Sequence, residues 1–357
     1  MAGDKASLAI GMAGLVMDHL HNARLREASQ LASEAMALVE SIGDSTLTVG
    51  LSLAPIYARA ECAEWSDALR WSQTVIDLAD GDPSKGNFII GCPLAVAFTT
   101  RANARYCLGR PGWRDDLRHG LAMARRTDPM SYATVVAYAY YPGILTGVLR
   151  PDDRAMREIE DALRIAEQSG DDVAFAIARM TLGIALVHRR TNSERDRGQQ
   201  VLAEVSEVFL RRGFFLADLP MVEVYLAREK AQCGDRDGAI PLMRAAVDHQ
   251  FREGRLLGWS IPTTGVLVET LLDRGAESDL VEAEAAIERL AQAAVEPLAP
   301  PTDDGLAMRE IWLLRLRALL AAAGGDAATY AHVRDRYRDM ANSLGFEGHI
   351  AWAENMP

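Results

Sequence analysis

The chain has 357 residues, of which 49% are hydrophobic but only 6% aromatic, and its formal net charge at pH 7 is -12. Nucleic-acid-binding surfaces normally carry a basic footprint, so this acidic balance argues against DNA or RNA as a direct partner. No apolar run reaches the roughly 18 residues that a membrane span needs, and the four cysteines form no CxxC pair. We therefore expect a cytoplasmic protein with free thiols and no membrane contact.

Three small or apolar residues, spaced four and then three apart, recur about every forty-odd residues along the chain, a period typical of helical-repeat arrays. The triples are Ala28, Ala32, Ala35; Ala68, Ser72, Val75; Leu117, Leu121, Ala124; Ala155, Ile159, Ala162; Val201, Val205, Val208; Ala239, Met243, Ala246; and Ala283, Ile287, Leu290. In such arrays each unit buries its apolar face by stacking on its neighbours. The sequence therefore predicts an all-α fold, an α-α superhelix of about seven to eight helical hairpins.

Glycine and aspartate mark the ends of the predicted helices, because glycine accepts the left-handed conformation after a helix and aspartate caps the next one. The first helices of the hairpins are predicted near 45–61, 88–108, 130–148, 172–190, 218–233, 259–274 and 304–323, and at the front 6–20 pairs with 24–41. We expect a single repeat domain over 1–357. It divides into an N-terminal hairpin at 1–43, central repeats at 44–294, a Pro-rich loop at 295–305, and a C-terminal capping hairpin with a tail helix at 306–357.

The last hairpin departs from the triple pattern, because Arg334 stands where an apolar residue would follow Ala327 and Ala331. Terminal repeats carry polar substitutions where one face meets water. We therefore expect this hairpin to cap the array, with Phe346 and Trp352 of the tail covering the end of the core.

One unit, LAREKAQCGDRDGAIPLMRAAVDH, has Gly234 followed by Ala239, Met243 and Ala246 at steps of five, four and three. This spacing resembles the tetratricopeptide repeat, in which small residues let paired helices cross closely. Phe251 stands where that repeat usually ends in proline. The resemblance implies a divergent, slightly longer repeat, and thus a tetratricopeptide-like solenoid.

A second resemblance covers the latter half of the chain, in GDRDGAIPLMRAAVD, GVLVETLLDRG, LRLRALLA and RYRDMANSLGFEGHIAWAE. These segments look like the C-terminal helical region of large actinobacterial signalling proteins. There, a class III adenylate or guanylate cyclase domain precedes an AAA-like or STAND-type ATPase, and some relatives end in a LuxR-type helix-turn-helix. The resemblance implies a regulatory region whose partners include upstream ATPase and cyclase domains in the same polypeptide.

Catalytic and metal-binding motifs are not apparent in the sequence. The segment DGDPSKGN at 80–87 has glycines and a lysine in the wrong order for a phosphate loop. His19 and His21 stand two residues apart, which on a helix directs them to different faces, a poor arrangement for metal ligation. We expect no catalytic residue, no cofactor and no metal in this chain, although a parent protein of this type would carry cyclase or ATPase activity.

The best candidate binding residues lie on two predicted first helices, because first helices line the concave face of tetratricopeptide-like arrays. Tyr138 and Tyr141 present rings and hydroxyl groups there, and Arg101 and Arg105 lie on the preceding first helix. We predict that these four residues line a groove for a protein, a peptide or a small-molecule effector. The alternative is that they only pack in the core.

Three further hypotheses stay open at the sequence level. The apolar, glycine-bearing segment LAIGMAGLVM at 8–17 is suited to pack against a second copy of the chain, which predicts a homodimerising scaffold, or against an upstream domain. Alternatively, the chain is the effector-sensing region of a LuxR-type transcriptional regulator. The least favoured alternative is an enzyme whose helical groove uses scattered Arg, Tyr and Asp side chains.

Overall fold

The computed structural model of the protein describes residues 2–89, 91–251, 256–294 and 306–356, and their side chains from residue 5 onward. These ranges contain eighteen α-helices. The first nine are α1 (Ala2–His21), α2 (Leu25–Ile42), α3 (Ser45–Leu51), α4 (Leu53–Glu61), α5 (Trp65–Ala79), α6 (Pro93–Cys107), α7 (Trp113–Thr127), α8 (Pro129–Leu145) and α9 (Asp153–Ser169). The others are α10 (Asp172–Val187), α11 (Asn192–Arg212), α12 (Leu219–Gln232), α13 (Arg236–Gln250), α14 (Ser260–Arg274), α15 (Glu277–Gln292), α16 (Ala307–Ala323), α17 (Ala327–Leu344) and α18 (Glu347–Glu354).

The helices pair into antiparallel hairpins that stack in chain order, so the predicted all-α superhelix is confirmed. The hairpins are α1/α2, α4/α5, α6/α7, α8/α9, α10/α11, α12/α13, α14/α15 and α16/α17, with the short α3 before α4 and with α18 after the last pair. First helices also pack on the first helices of neighbouring hairpins, as α6 does on α8 and α12 on α14. None of the helices in the described ranges combines the length and the hydropathy that crossing a membrane requires.

The recurring triples form the interior face of the second helices. Most of their members are buried, and those of α2 and α13 almost completely so. Only α11 shifts register: Val201 and Val208 are partly exposed, while Leu202, Val205 and Phe209 fill the core. The buried residues of α11 are thus spaced three and then four apart, which places the ring of Phe209 in the core. The repeat period was predicted correctly, but the choice of buried residues in this helix was wrong.

The predicted first helix at 45–61 is broken in two at Ser52. Pro55 explains the break, because it lacks the N–H that would bond to the carbonyl four residues earlier and its ring clashes with that carbonyl. The predicted Pro-rich loop at 295–305 lies outside the described residues. The proposed division of the chain into terminal, central and capping parts stays a prediction.

The tail does not simply cover the end of the stack but returns to the turn that follows α8. The backbone N–H of Glu347 donates to the carbonyl of Val148 at 2.9 Å, and that of His349 donates to Gly147 at 3.0 Å. Gly348 permits this approach, because a Cβ there would lie 2.6 Å from the Gly147 carbonyl oxygen. We call this junction the C-terminal closure.

Two more backbone bonds cross the superhelix at its other side. The N–H of Leu216 donates to the carbonyl of His21, and the N–H of Gly258 donates to the carbonyl of Glu61, both at 2.9 Å. The segments before α12 and α14 thus touch the ends of α1 and α4. Winding of the superhelix therefore joins hairpins that are remote in sequence.

Candidate functional site

Six side chains from four hairpins meet in the space between the first helices, which we call the central chamber: Tyr57, Glu61, Tyr138, Tyr141, Asp218 and Trp259. α4 supplies the first two, α8 the next two, and the residues that directly precede α12 and α14 supply the last two. Tyr57 and Tyr138 stay partly exposed although protein surrounds them. Both rings therefore keep an accessible edge.

The aromatic rings of the chamber form two pairs. The centroids of Tyr57 and Tyr138 are 5.3 Å apart, and those of Tyr141 and Trp259 are 4.8 Å apart, both pairs being tilted. The hydroxyl of Tyr141 donates to Oδ1 of Asp218 at 2.6 Å. Tilted aromatic pairs at such separations attract one another, which favours this arrangement of the four rings.

Asp218 directs its carboxylate into the chamber instead of capping its own helix. It occupies the N-cap position of α12, where an aspartate side chain normally accepts a backbone N–H, yet it makes no such bond. Its carboxylate instead accepts from Tyr141. The preceding turn holds it there, with Phe215 at a φ of +52° and Leu216 bonded to the end of α1.

Glu61 is the last residue of α4, with an exposed fraction of only 3%. A carboxylate at a helix C-terminus faces the negative end of the helix dipole, so its charge is opposed there as well as being desolvated. The close approach of Gly258 seals this helix end, since a Cβ on that glycine would lie 3.1 Å from the carbonyl oxygen of Ala60. Glu61 is thus held where its charge is least stable.

Burial raises the pKa values of both carboxyl groups, and the charge of Asp218 raises that of Glu61 further. The groups that oppose this rise are the indole of Trp259 at both sites, with the hydroxyl of Tyr57 at Glu61 and of Tyr141 at Asp218. In the described part of the chain no Lys, Arg or His is among the groups that act on either pKa. The chamber therefore holds two buried carboxyl groups without a described counter-charge.

Two further polar atoms near the chamber lack hydrogen-bond partners within the described ranges. The indole Nε1 of Trp259 is buried and makes no well-formed hydrogen bond, although it is close enough to both carboxyl groups to lower their pKa values. On α6, the side-chain nitrogen of Asn103 donates to the carbonyl of Tyr138 at 3.1 Å, while its Oδ1 is buried and unbonded. Buried polar groups of this kind are rare in proteins.

The structure separates the four residues predicted to line the groove. Tyr138 and Tyr141 lie in the central chamber, whereas Arg101 and Arg105 turn away and share one carboxylate. Nε and Nη2 of Arg101 donate to Asp116 at 2.9 and 2.6 Å, and Arg105 donates to the same group at 2.7 Å. This ion triad joins α6 to α7. The binding role of the four residues stays a prediction, and the geometry favours the tyrosines.

Cavities on the outer surface are less suited to be the functional site. One of about 270 Å³ lies between α7, α8 and α9, and arginines stand around it. Arg118 pairs with Asp115 and Arg154 with Glu158, while Arg114 donates to the carbonyl of Gly345. These cations already have local partners. A second cavity, of about 250 Å³, lies between α10 and α11 around Phe175 and Phe214.

No metal centre emerges from the described residues, since no group of three or more His, Cys, Asp or Glu side chains is placed to hold an ion. His21 packs against Phe215, with ring centroids 4.9 Å apart, and burial lowers its pKa. All four cysteines are free thiols, of which Cys233 is exposed.

Sequence reasoning missed four of the six chamber residues. Tyr57, Glu61, Asp218 and Trp259 were not among the predicted binding residues. The available signal was weak: an aspartate at a helix start is normally a cap, and only the path of the superhelix shows that Asp218 is not one.

Comparison with known proteins establishes the fold class and little more. No protein-family model matches the chain, and no curated protein matches it. Among solved structures it is similar to one described as a Rap protein complexed with competence and sporulation factor. The TM-score is 0.58 at 12% sequence identity, and the match covers 98% of this chain and 96% of that chain. The tetratricopeptide-like solenoid is confirmed by this similarity, while an association with cyclase or ATPase domains gains no support from it.

Proposed function

We propose that the chain is a non-catalytic sensor module that binds a peptide or a small ligand in the central chamber. The observation that carries this proposal is the convergence of Glu61 and Asp218, which have no described counter-charge, with partly exposed tyrosine rings. Buried polar groups with unmet partners destabilise the empty protein, so their retention is expected where a ligand supplies the missing contacts. The solved structure of similar fold, that of a Rap protein, also holds a bound factor.

Ligand binding has a direct route to regulation in this fold. The chamber walls come from hairpins that are remote in sequence, so a ligand bridging α4, α8 and the segment before α12 would change how tightly the superhelix is wound. We propose that an attached or associated ATPase or cyclase domain responds to this change in winding. The free thiols are consistent with a cytoplasmic setting. Effector sensing for a LuxR-type regulator is the related alternative.

A panel of peptides and metabolites, screened by thermal shift against the full chain, tests the proposal. Ligands of the chamber should raise the melting temperature of the wild type and of Tyr140→Leu, but not that of Tyr138→Leu. Tyr140 is a matched control, because it lies on the same helix but donates to Glu158 on α9 at 2.6 Å, away from the chamber. Equal shifts in both variants, or no shift with any compound, would contradict a binding role for the chamber.

A second candidate function, homodimerisation, is favoured by one face of α1. Leu8 and Leu15 are exposed on the same side of the helix as Gly11, where a Cβ would meet nothing within 4 Å. Around a twofold axis near residue 11, Leu8 of one copy faces Leu15 of the other, and Lys5 would face Asp18, so the face is complementary to itself.

Light scattering at high protein concentration measures this association. A dimer that dissociates in Leu8→Ser/Leu15→Ser, with Leu242→Ser as an exposed control on α13, would support it. A strict monomer at all concentrations would remove it, without bearing on the chamber.

A further inference from the structure

The charged groups of the central chamber indicate which chemical class of ligand binds there. This inference rests on the proposed function and makes it more specific. Two carboxyl groups, each with an exposed fraction of 3%, share one space with no basic side chain acting on them in the described part of the chain. Two such groups cannot both ionise in an apolar interior, since desolvation and mutual repulsion oppose it. The described side chains therefore leave the pair without a positive partner, a role that a proton or a bound cation would fill.

The donor set disfavours a metal ion as that cation. The described chamber residues provide two carboxylates and tyrosine hydroxyls, and no third carboxylate, imidazole or thiolate joins them. The indole N–H of Trp259 points toward the acids as a donor and has no lone pair for a metal. Ca²⁺ and Mg²⁺ take six or more oxygen ligands, and Mg²⁺ releases its bound waters reluctantly. The described chamber residues provide too few oxygen ligands for either ion.

The aromatic walls fit an organic cation instead. The rings of Tyr57 and Tyr138 lie 5.3 Å apart beside Glu61, and those of Tyr141 and Trp259 lie 4.8 Å apart beside Asp218. An ammonium or guanidinium group is attracted to the faces of such rings and donates hydrogen bonds to carboxylates. The edges of Tyr57 and Tyr138 are partly exposed, so a ligand can reach these two rings.

We propose that Glu61 and Asp218 together bind one alkylammonium or guanidinium group, which the paired aromatic rings of the central chamber flank. The group belongs either to a free amine or to a lysine or arginine side chain of a peptide. In the empty protein a proton occupies the pair, and the cation replaces it.

Proton release gives this proposal a signature that a structural role would not produce. Among the described residues, the titratable groups that face the pair are Tyr57 on α4 and Tyr138 and Tyr141 on α8, and burial raises the pKa of each. These phenols stay neutral near pH 7, so the proton that leaves must come from the carboxyl pair. Linkage then requires affinity for the cation to rise with pH as the pair loses its proton above the ordinary range of a carboxyl group, with up to one proton released per cation bound.

The test is calorimetric titration of the full chain in buffers of different ionisation enthalpy. The probes are agmatine and putrescine as free amines, and acetyl-Ala-Arg-Ala-amide and acetyl-Ala-Lys-Ala-amide as peptides, with acetyl-Ala-Gln-Ala-amide as the neutral control. Binding of any cationic probe with proton release, and no binding of the neutral control, is the expected result. Binding by the amines alone or the peptides alone would identify the source of the cation.

Matched variants localise the effect. We expect Glu61→Gln and Asp218→Asn each to weaken cation binding by about tenfold or more, because each removes a charge-assisted hydrogen bond. Glu284→Gln, which removes one exposed negative charge from α15, should leave it unchanged. Gln and Asn keep the shape of the acids, and circular dichroism checks that each variant is folded.

The outcomes separate the two proposals. Equal cation affinity in wild type and both variants, or binding without proton release, would overturn the cation site. Ligands from the thermal-shift panel that are neutral or anionic and depend on Tyr138 would also overturn it, while leaving the sensor function intact. No ligand of any charge dependent on the chamber would contradict the sensor function itself.

Discussion

The central chamber and the C-terminal closure are both junctions between hairpins remote in sequence, but they treat buried polar groups in opposite ways. In the closure, Nε2 of His349 bonds to the carbonyl of Thr146 at 3.0 Å and Nδ1 bonds to the hydroxyl of Tyr337 at 2.9 Å. The chamber instead buries Glu61 and Asp218 with few partners. A satisfied junction stabilises the fold, whereas an unsatisfied one lowers stability.

The closure should dominate stability, so His349→Ala is expected to have the largest effect. The variant leaves a cavity beside Trp312 and Trp352, and it removes one of the two hydrogen bonds to the Thr146 carbonyl, so that only the bond from Nε1 of Trp312 remains. We expect a loss of about 4 kcal/mol in the free energy of unfolding, measured by urea titration with circular dichroism. His332→Ala, exposed on the neighbouring α17, should cost less than about 0.5 kcal/mol. A loss of similar size in both variants would contradict a structural role for the closure.

Lowering the pH should destabilise the C-terminal closure, because burial lowers the pKa of His349 to about 3. The unfolded chain binds a proton near the ordinary value of 6.5, whereas the folded chain does so only near 3. Stability from this residue is therefore complete above pH 6.5 and lost as pH falls toward 3, with a slope of about 1.4 kcal/mol per pH unit.

His349→Gln removes that slope, so unfolding experiments between pH 6 and pH 4 should show a weaker acid dependence in the variant. An unchanged slope would mean that the histidine is not buried in its neutral form.

The contribution of the central chamber to stability should change with pH in the opposite direction. The pKa of Glu61 is raised in the folded state, so its contribution is complete below the ordinary value near 4.5 and is lost as pH rises. We expect Glu61→Gln to increase the melting temperature of the empty protein by about 3 °C at pH 7.5 and to leave it unchanged at pH 4.5. A destabilised variant at pH 7.5 would show that the carboxylate has a stabilising partner.

The smallest effect is expected from Trp259→Phe, which keeps the ring against Tyr141 but removes the indole N–H. Because that N–H makes no well-formed hydrogen bond in the empty chamber, stability should change by less than about 1 kcal/mol. Binding of a chamber ligand should weaken about threefold, as measured by calorimetry. A large loss of stability would place Trp259 with the closure residues, as a structural group.

Local periodicity was enough to predict the helices but not the chamber. The triples around Ala32 and Met243 are buried as their spacing indicates, because helical periodicity and small-residue packing act within one hairpin and its neighbours. The two predicted tyrosines reached the chamber for the same reason, since α8 is a first helix. Arg101 and Arg105 were attributed to the groove because the sequence does not show that Asp116 faces them.

Contacts that depend on the winding of the whole superhelix could not be predicted. Asp218 meets Tyr141, and Gly258 meets Glu61, only because small rotations accumulate over several hairpins. No short sequence pattern encodes this accumulated rotation. Those contacts create the chamber, so the functional hypothesis came from the structure and the fold class from the sequence.

Hydrogen–deuterium exchange of the full chain, with and without the panel compound that gives the largest thermal shift, shows where a ligand binds. Exchange is expected to slow in α4, α8 and the residues that precede α12, where the chamber walls lie, while α16 to α18 exchange as before. Protection confined to the C-terminal closure, or to the arginine-lined cavity between α7, α8 and α9, would contradict the assignment of the central chamber as the binding site.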